Sequence, residues 1–175
     1  APTGATAGVL ELAGLNTVFN LSNVDVTDDD FLISPLGGED TVTVLGTDSA
    51  DTMDVDHNNT TFVTVTSPIG GTARLGLEVE DTDTENLRVM ALDGDDEINI
   101  TKTGGPGDGP ALSVDAGAPA ASDTLTFVST QDSADFVVNP GASRDEGTVE
   151  FDGDTYAFSR VEDLILDAGS GTEED

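Results

Sequence analysis

Leu92-Asp93-Gly94-Asp95-Asp96-Glu97-Ile98-Asn99-Ile100 decides how this chain is read. An apolar residue leads into an acidic, glycine-centred turn, and a short alternating strand follows. The same order occurs earlier in Leu36-Gly37-Gly38-Glu39-Asp40-Thr41-Val42-Thr43-Val44. It recurs more loosely in Leu45-Gly46-Thr47-Asp48-Ser49-Ala50-Asp51-Thr52-Met53-Asp54-Val55, and related stretches begin at Val114, Ser129 and Leu166. A turn-and-strand unit repeated along a chain marks a stacked β architecture, because each unit buries its apolar face only against the next.

Outward from these turns the pattern stays β. Thr61-Phe62-Val63-Thr64-Val65 alternates, as do Arg74 to Val79 and Thr124 to Val128. Thr148 to Phe151 and Thr155 to Phe158 flank Asp152-Gly153-Asp154, which predicts a hairpin. Leu10 to Leu21 can be drawn as a helix, but Gly14, Asn16, Thr17 and Asn20 weaken it, and two strands fit better. The expected fold is all-β: an elongated β-solenoid or parallel β-helix-like stack, with a β-sandwich as the alternative. Residues 1–30 form an N-terminal strand segment or cap, and residues 31–175 the acidic repeat domain.

A longer period overlies the short one. Thr47-Asp48-Ser49-Ala50-Asp51 matches Gln131-Asp132-Ser133-Ala134-Asp135, 84 positions on. The expectation is an approximate duplication of about 47–101 and 131–175, with a further turn starting at Gly169 to Asp175. A continuing copy, in a tandem array or a polymer, would complete that turn. The apolar residues Val9, Leu10, Leu12, Val18, Phe19 and Leu21 are the candidates for self-association, as a strand lent to an open edge of another copy.

Charge bounds the partners. The chain carries 36 acidic residues against 5 basic ones, a net charge of -31 over 175 residues. Nucleic acid and anionic membrane surfaces are excluded as partners, since both need Lys and Arg. No run approaches the roughly 20 apolar residues of a membrane span, so insertion is not expected. Two carboxylates about 4 Å apart repel by about 1 kcal/mol even in bulk water. Cations, high salt or copies of the chain arranged around cations are what such a surface calls for. The chain has no cysteine, so disulfides and thiolate metal sites are absent.

Calcium takes six to eight oxygens from carboxylates and carbonyls, and acidic glycine turns offer both. Candidate ligands are Glu39 and Asp40, Asp48 and Asp51, the trio Asp93, Asp95 and Asp96, and Asp132 and Asp135 at the repeat offset. The plain alternative is that each Asp caps backbone N–H groups at the start of its strand. Gly46-Thr47-Asp48-Ser49-Ala50-Asp51 and Leu92-Asp93-Gly94-Asp95-Asp96 resemble the turns of secreted acidic repeat proteins, relatives of the hemolysin-type (RTX-like) calcium-binding repeats. The resemblance covers most of residues 31–175. It departs from the back-to-back calcium nonapeptide, since Gly37-Gly38-Glu39-Asp40 lacks the next glycine. What it implies is a secreted β-solenoid.

Other chemistry is thin. His57, the only histidine, lies beside Asn58 in a polar stretch and reads as a surface residue. Paired acids could serve a polysaccharide-modifying β-helix, but Arg74, Arg88, Lys102, Arg144 and Arg160 are scattered, so an enzyme is not expected. A carbohydrate-binding module is the alternative, although aromatics are 5% and tryptophan is absent. Asn58 and Asn59 head overlapping glycosylation sequons in a turn. The function these readings imply is an extracellular or cell-surface structural protein. It would be a module of a filament, surface layer or adhesin, self-associating and stabilised by calcium or high salt.

Overall fold

The computed structural model describes residues 31–33, 39–66, 73–80, 84–118, 122–130 and 134–169. It is all-β, with no helix among the described residues. The N-terminal candidates Val9, Leu10, Leu12, Val18, Phe19 and Leu21 lie outside them, as does Asp132.

Among the described residues thirteen strands follow one another: β1 (Phe31–Ile33), β2 (Thr41–Leu45), β3 (Thr52–His57), β4 (Thr60–Thr66), β5 (Ala73–Glu80), β6 (Asn86–Met90), β7 (Glu97–Lys102), β8 (Ala111–Asp115), β9 (Thr124–Ser129), β10 (Phe136–Pro140), β11 (Gly147–Phe151), β12 (Asp154–Ser159) and β13 (Asp163–Asp167). They form two mixed sheets. One runs β1-β5-β4-β3-β7-β9-β13 and the other β10-β11-β12-β8-β6-β2.

The parallel parts of the two sheets are built from strand pairs. In β2–β3, β6–β7, β8–β9 and β12–β13 the first strand lies in the six-stranded sheet and the second in the seven-stranded one. Thr41 pairs with Asn86 and Asn86 with Ala111, and Ala157 pairs with Ser113. On the other sheet Thr52 pairs with Glu97 and Glu97 with Thr124, and Asp163 also pairs with Thr124. Two antiparallel excursions interrupt the stack. β4 and β5 fold back beside β3, and β10 and β11 fold back beside β12. The hairpin at Asp152-Gly153 is thus present.

Alternation explains the core. Met53 and Val55, Ile98 and Ile100, and Leu125 and Phe127 face inward from consecutive rungs and are fully buried. Val42, Val44, Leu87, Val89, Leu112 and Val114 face them from the other sheet in the same cluster. Phe127 meets Phe151 and Tyr156 edge-on across the interior, with ring centroids 5.8 and 5.2 Å apart. Each β-branched or leucine residue buried in this way contributes roughly 1.5–3 kcal/mol.

Candidate functional site

The acidic turns form the links between the sheets. The opening motif crosses from β6 to β7, and its spatial partner is the Leu45 motif, which crosses from β2 to β3. Asp51, Asp96 and Asp123 stand immediately before β3, β7 and β9, stacked one above another and buried. The Asp51 N–H donates to Asp96 Oδ1 at 2.7 Å, and the Asp96 N–H donates to Asp123 Oδ1 at 2.9 Å. The Asp123 N–H donates in turn to Glu162 Oε2 at 3.0 Å. The carbonyls of Asp51, Asp96 and Asp123 accept from Glu97, Thr124 and Asp163. Each acid therefore ties its rung to the next and extends the sheet's hydrogen bonding into the turn.

This capping leaves a residue of unspent polarity. Oδ1 of Asp51 and Oδ2 of both Asp96 and Asp123 are buried without a hydrogen-bond partner. Asp51 Oδ2 is occupied by the N–H and hydroxyl of Thr47, at 2.5 and 2.8 Å. Burial pushes the Asp96 carboxyl up to about 7; its bond from Asp51 opposes the rise, and the charges of Asp123, Asp51 and Asp95 reinforce it. Burial also raises Asp123. Burial disfavours the charged form of a carboxylate, which is the cause of both shifts.

The remaining candidate ligands are placed apart. Asp48, Asp93 and Asp95 are exposed on the flanks of the same turns. Glu39 is exposed, whereas the N–H of its neighbour Asp40 donates to Glu85 Oε2 at 2.7 Å. That bond repeats the capping device where the chain begins β2 and β6. Asp135 stands before β10, where its N–H donates to Asp152 Oδ1 at 3.2 Å. Among the described residues, no group of three or more His, Cys, Asp or Glu is arranged to hold a metal ion. Asp123, Glu85 and Glu162 were not singled out as candidates from sequence. Their common signal is an acid one residue ahead of an alternating strand.

Asn58 is half-buried, and its amide donates to Asp56 at 3.3 Å and Thr103 at 2.9 Å; Asn59 is exposed.

A second polar cluster lies at the far ends of β3, β7 and β9. His57 is 2% exposed, which corrects its reading as a surface residue. The cause is parity: His57 is in phase with the inward Met53 and Val55. Its Nε2 lies 2.9 Å from the Pro110 carbonyl, and Tyr156 Oη lies 2.9 Å from Nδ1. Register places Lys102 beside His57 and Ser129 beside Lys102. Lys102 is fully buried and pairs with Asp154. The segment 103–110 wraps this cluster. The Gly107 N–H donates to the other oxygen of Asp154 at 2.7 Å. At Gly109 a Cβ would come within 2.7 Å of His57 Nε2. Burial lowers the Lys102 ammonium, and the charges of Asp152 and Asp108 pull it back.

Two more bases converge on Asp115 at the end of β8. Arg160 approaches at 2.5 Å and Arg88 at 3.3 Å. Burial opposes ionisation of Asp115, but these guanidiniums hold its carboxyl below the usual range.

Comparison with known proteins yields no matching family model, no matching curated protein and no matching solved structure.

Proposed function

We propose that this chain is an extracellular structural module, a short β-solenoid that joins copies of itself into a filament or surface layer. The stacking of β2–β3, β6–β7, β8–β9 and β12–β13 in consistent register supports the solenoid reading.

The observation that carries self-association is the β10 and β13 end of the two sheets. β13 pairs only with β9, and β10 only with β11, among the described residues. Leu166 is in register with buried Phe127, and Val138 with buried Val149, so both face the core side. They are nevertheless 37% and 40% exposed, and Ile165 and Val137 beside them are 48% and 50% exposed. An edge strand with apolar side chains on both faces is a template for another strand. The proposed occupant is the Val9 to Val26 segment of a second copy, whose apolar pulses suit such an edge.

The cation part of the proposal rests on the charge of -31. It also rests on the exposed Asp48, Asp93 and Asp95 beside the buried column. Divalent ions or concentrated salt would relieve the repulsion among them.

Light scattering and electron microscopy of the full chain test the assembly. Polymers are expected as salt or calcium rises, and they should be lost both on deletion of residues 1–26 and in Ile165→Lys. A folded wild-type chain that stays monomeric across those titrations would overturn the proposal.

A further inference from the structure

We propose that Lys102 and Asp154 become joined by a side-chain amide bond, formed within the folded chain with Asp152 as the proton carrier. Lys102 is the only lysine in the chain. It ends β7 in phase with Ile98 and Ile100, so the strand drives its amine into the interior, where its side chain is 0% exposed. There it meets Asp154, at the start of β12. The Asp154 carboxylate is oriented from both sides: Oδ2 faces Lys102 Nζ, and Oδ1 accepts the Gly107 N–H at 2.7 Å.

Asp152 supplies what a salt bridge alone would not need. Its Oδ1 accepts the Asp135 N–H at 3.2 Å, while its Oδ2 is buried with no hydrogen-bond partner. Its charge acts on both Lys102 and Tyr156. Phe127, Phe151 and Tyr156 form an aromatic wall beside the cluster, and segment 103–110 covers it. The Lys102 side chain is fully buried and that of Asp154 is 18% exposed, so burial weakens the ammonium–carboxylate form relative to amine and acid.

The chemistry balances without a further reagent. Asp152 passes a proton from the Lys102 ammonium to Oδ2 of Asp154, and the freed Nζ attacks Cγ of the resulting acid. The oxyanion that develops on Oδ1 is held by the Gly107 N–H. A second proton, from nitrogen, follows the same path to Oδ2. The Cγ–Oδ2 bond breaks, the Nζ–Cγ bond remains, and one water leaves. Nothing is oxidised or reduced. Fixed proximity replaces a bimolecular encounter, which is where most of the rate would arise.

Mass spectrometry of the intact folded protein tests this. The wild type is expected to weigh one water less than its sequence, and a protease digest should contain a branched peptide linking Lys102 to Asp154. Lys102→Arg and Asp154→Ala should show the full sequence mass and melt lower by roughly 10 °C, as for loss of a cross-link closing a loop of this length. Asp152→Asn should fold and keep the full mass. A wild-type mass equal to the sequence, after prolonged incubation of the folded protein, overturns the proposal. So does a water loss that survives in Lys102→Arg, because it would belong to a succinimide at Asp152-Gly153. A bond formed at the wild-type rate in Asp152→Asn overturns the role of Asp152.

Discussion

Asp96 is the residue where the two readings of the acidic turns meet. Its carboxylate caps the Asp51 N–H, and its second oxygen is buried without a partner. In the fold its carboxyl titrates at about 7, chiefly because of burial. In the unfolded chain it titrates near 4. The folded state therefore keeps a proton that the unfolded state releases. Its contribution to stability is complete below about pH 4 and is lost as pH rises through about 7. Asp115 has the opposite sign: it is held down by Arg160 and Arg88, so its contribution is lost on acidification. Asp96→Asn keeps the cap acceptor and removes the ionisation. Melting curves from pH 4 to 8 should show a flatter slope for this variant and a gain of about 1–3 kcal/mol above pH 7, with the acid-side loss unchanged.

Backbone geometry gives a second residue-scale expectation. Gly117 has φ +106°, and a Cβ placed on it would fall 1.7 Å from the Leu92 carbonyl oxygen. Leu92 itself has φ +80°, and its carbonyl accepts the Ala118 N–H at 2.7 Å. The turns before β7 and β9 are thus locked against each other. Gly117→Ala should cost more than about 2 kcal/mol, read from denaturant midpoints, because neither backbone can give way cheaply.

At the scale of elements, the telling strand is β13. Its inward positions Leu164 and Leu166 continue the columns of Leu125 and Phe127, but the cover ends there. Ile165→Lys replaces an exposed outward side chain. It should change monomer stability by less than about 0.5 kcal/mol while abolishing polymers in light scattering. A substitution that unfolds the monomer would mean instead that Ile165 belongs to the core. The capping device is also an element-scale property. Asp40 and Glu85 join the rungs on one side, and Asp51, Asp96, Asp123 and Glu162 join them on the other. Parallel strands linked by turns leave N–H groups that the ladder alone does not serve, and an acid one residue ahead of β6, β7, β9 and β13 serves them.

For the whole molecule the dominant quantity is charge. Among the described residues, Arg88, Arg160 and Lys102 are committed to internal pairs with Asp115 and Asp154. Little positive charge remains to offset the acidic surface. Melting temperature should rise steeply between low and molar sodium chloride, since the screening length falls to about 3 Å at 1 M. A further rise with millimolar calcium at constant ionic strength, reversed by EDTA, would add specific binding. No response to calcium beyond that of matched salt would assign the effect to screening alone.

Much of this was legible beforehand. Val42-Thr43-Val44, Ile98-Asn99-Ile100 and Leu125-Thr126-Phe127 alternate so plainly that strands, and their buried faces, follow from period-two geometry. The acidic residues were legible as turn chemistry, but their partners were not. Leu36 to Val44 reads as the twin of Leu92 to Ile100. In space, however, Asp96 stacks on Asp51, because β7 pairs with β3 in the seven-stranded sheet whereas β2 belongs to the other sheet. His57 and Lys102 illustrate the same division. Their parity in β3 and β7 was available in the sequence, yet polar side chains are read as solvated until something is seen to cover them. Composition and alternation by themselves determined an acidic all-β chain of repeated turns. Only the tertiary structure decided which carboxylates lost their water, and it brought Lys102 of β7 to Asp154 of β12. Burial and register are long-range properties, and they convert ordinary acids and a lone lysine into groups whose protons and bonds depend on one another.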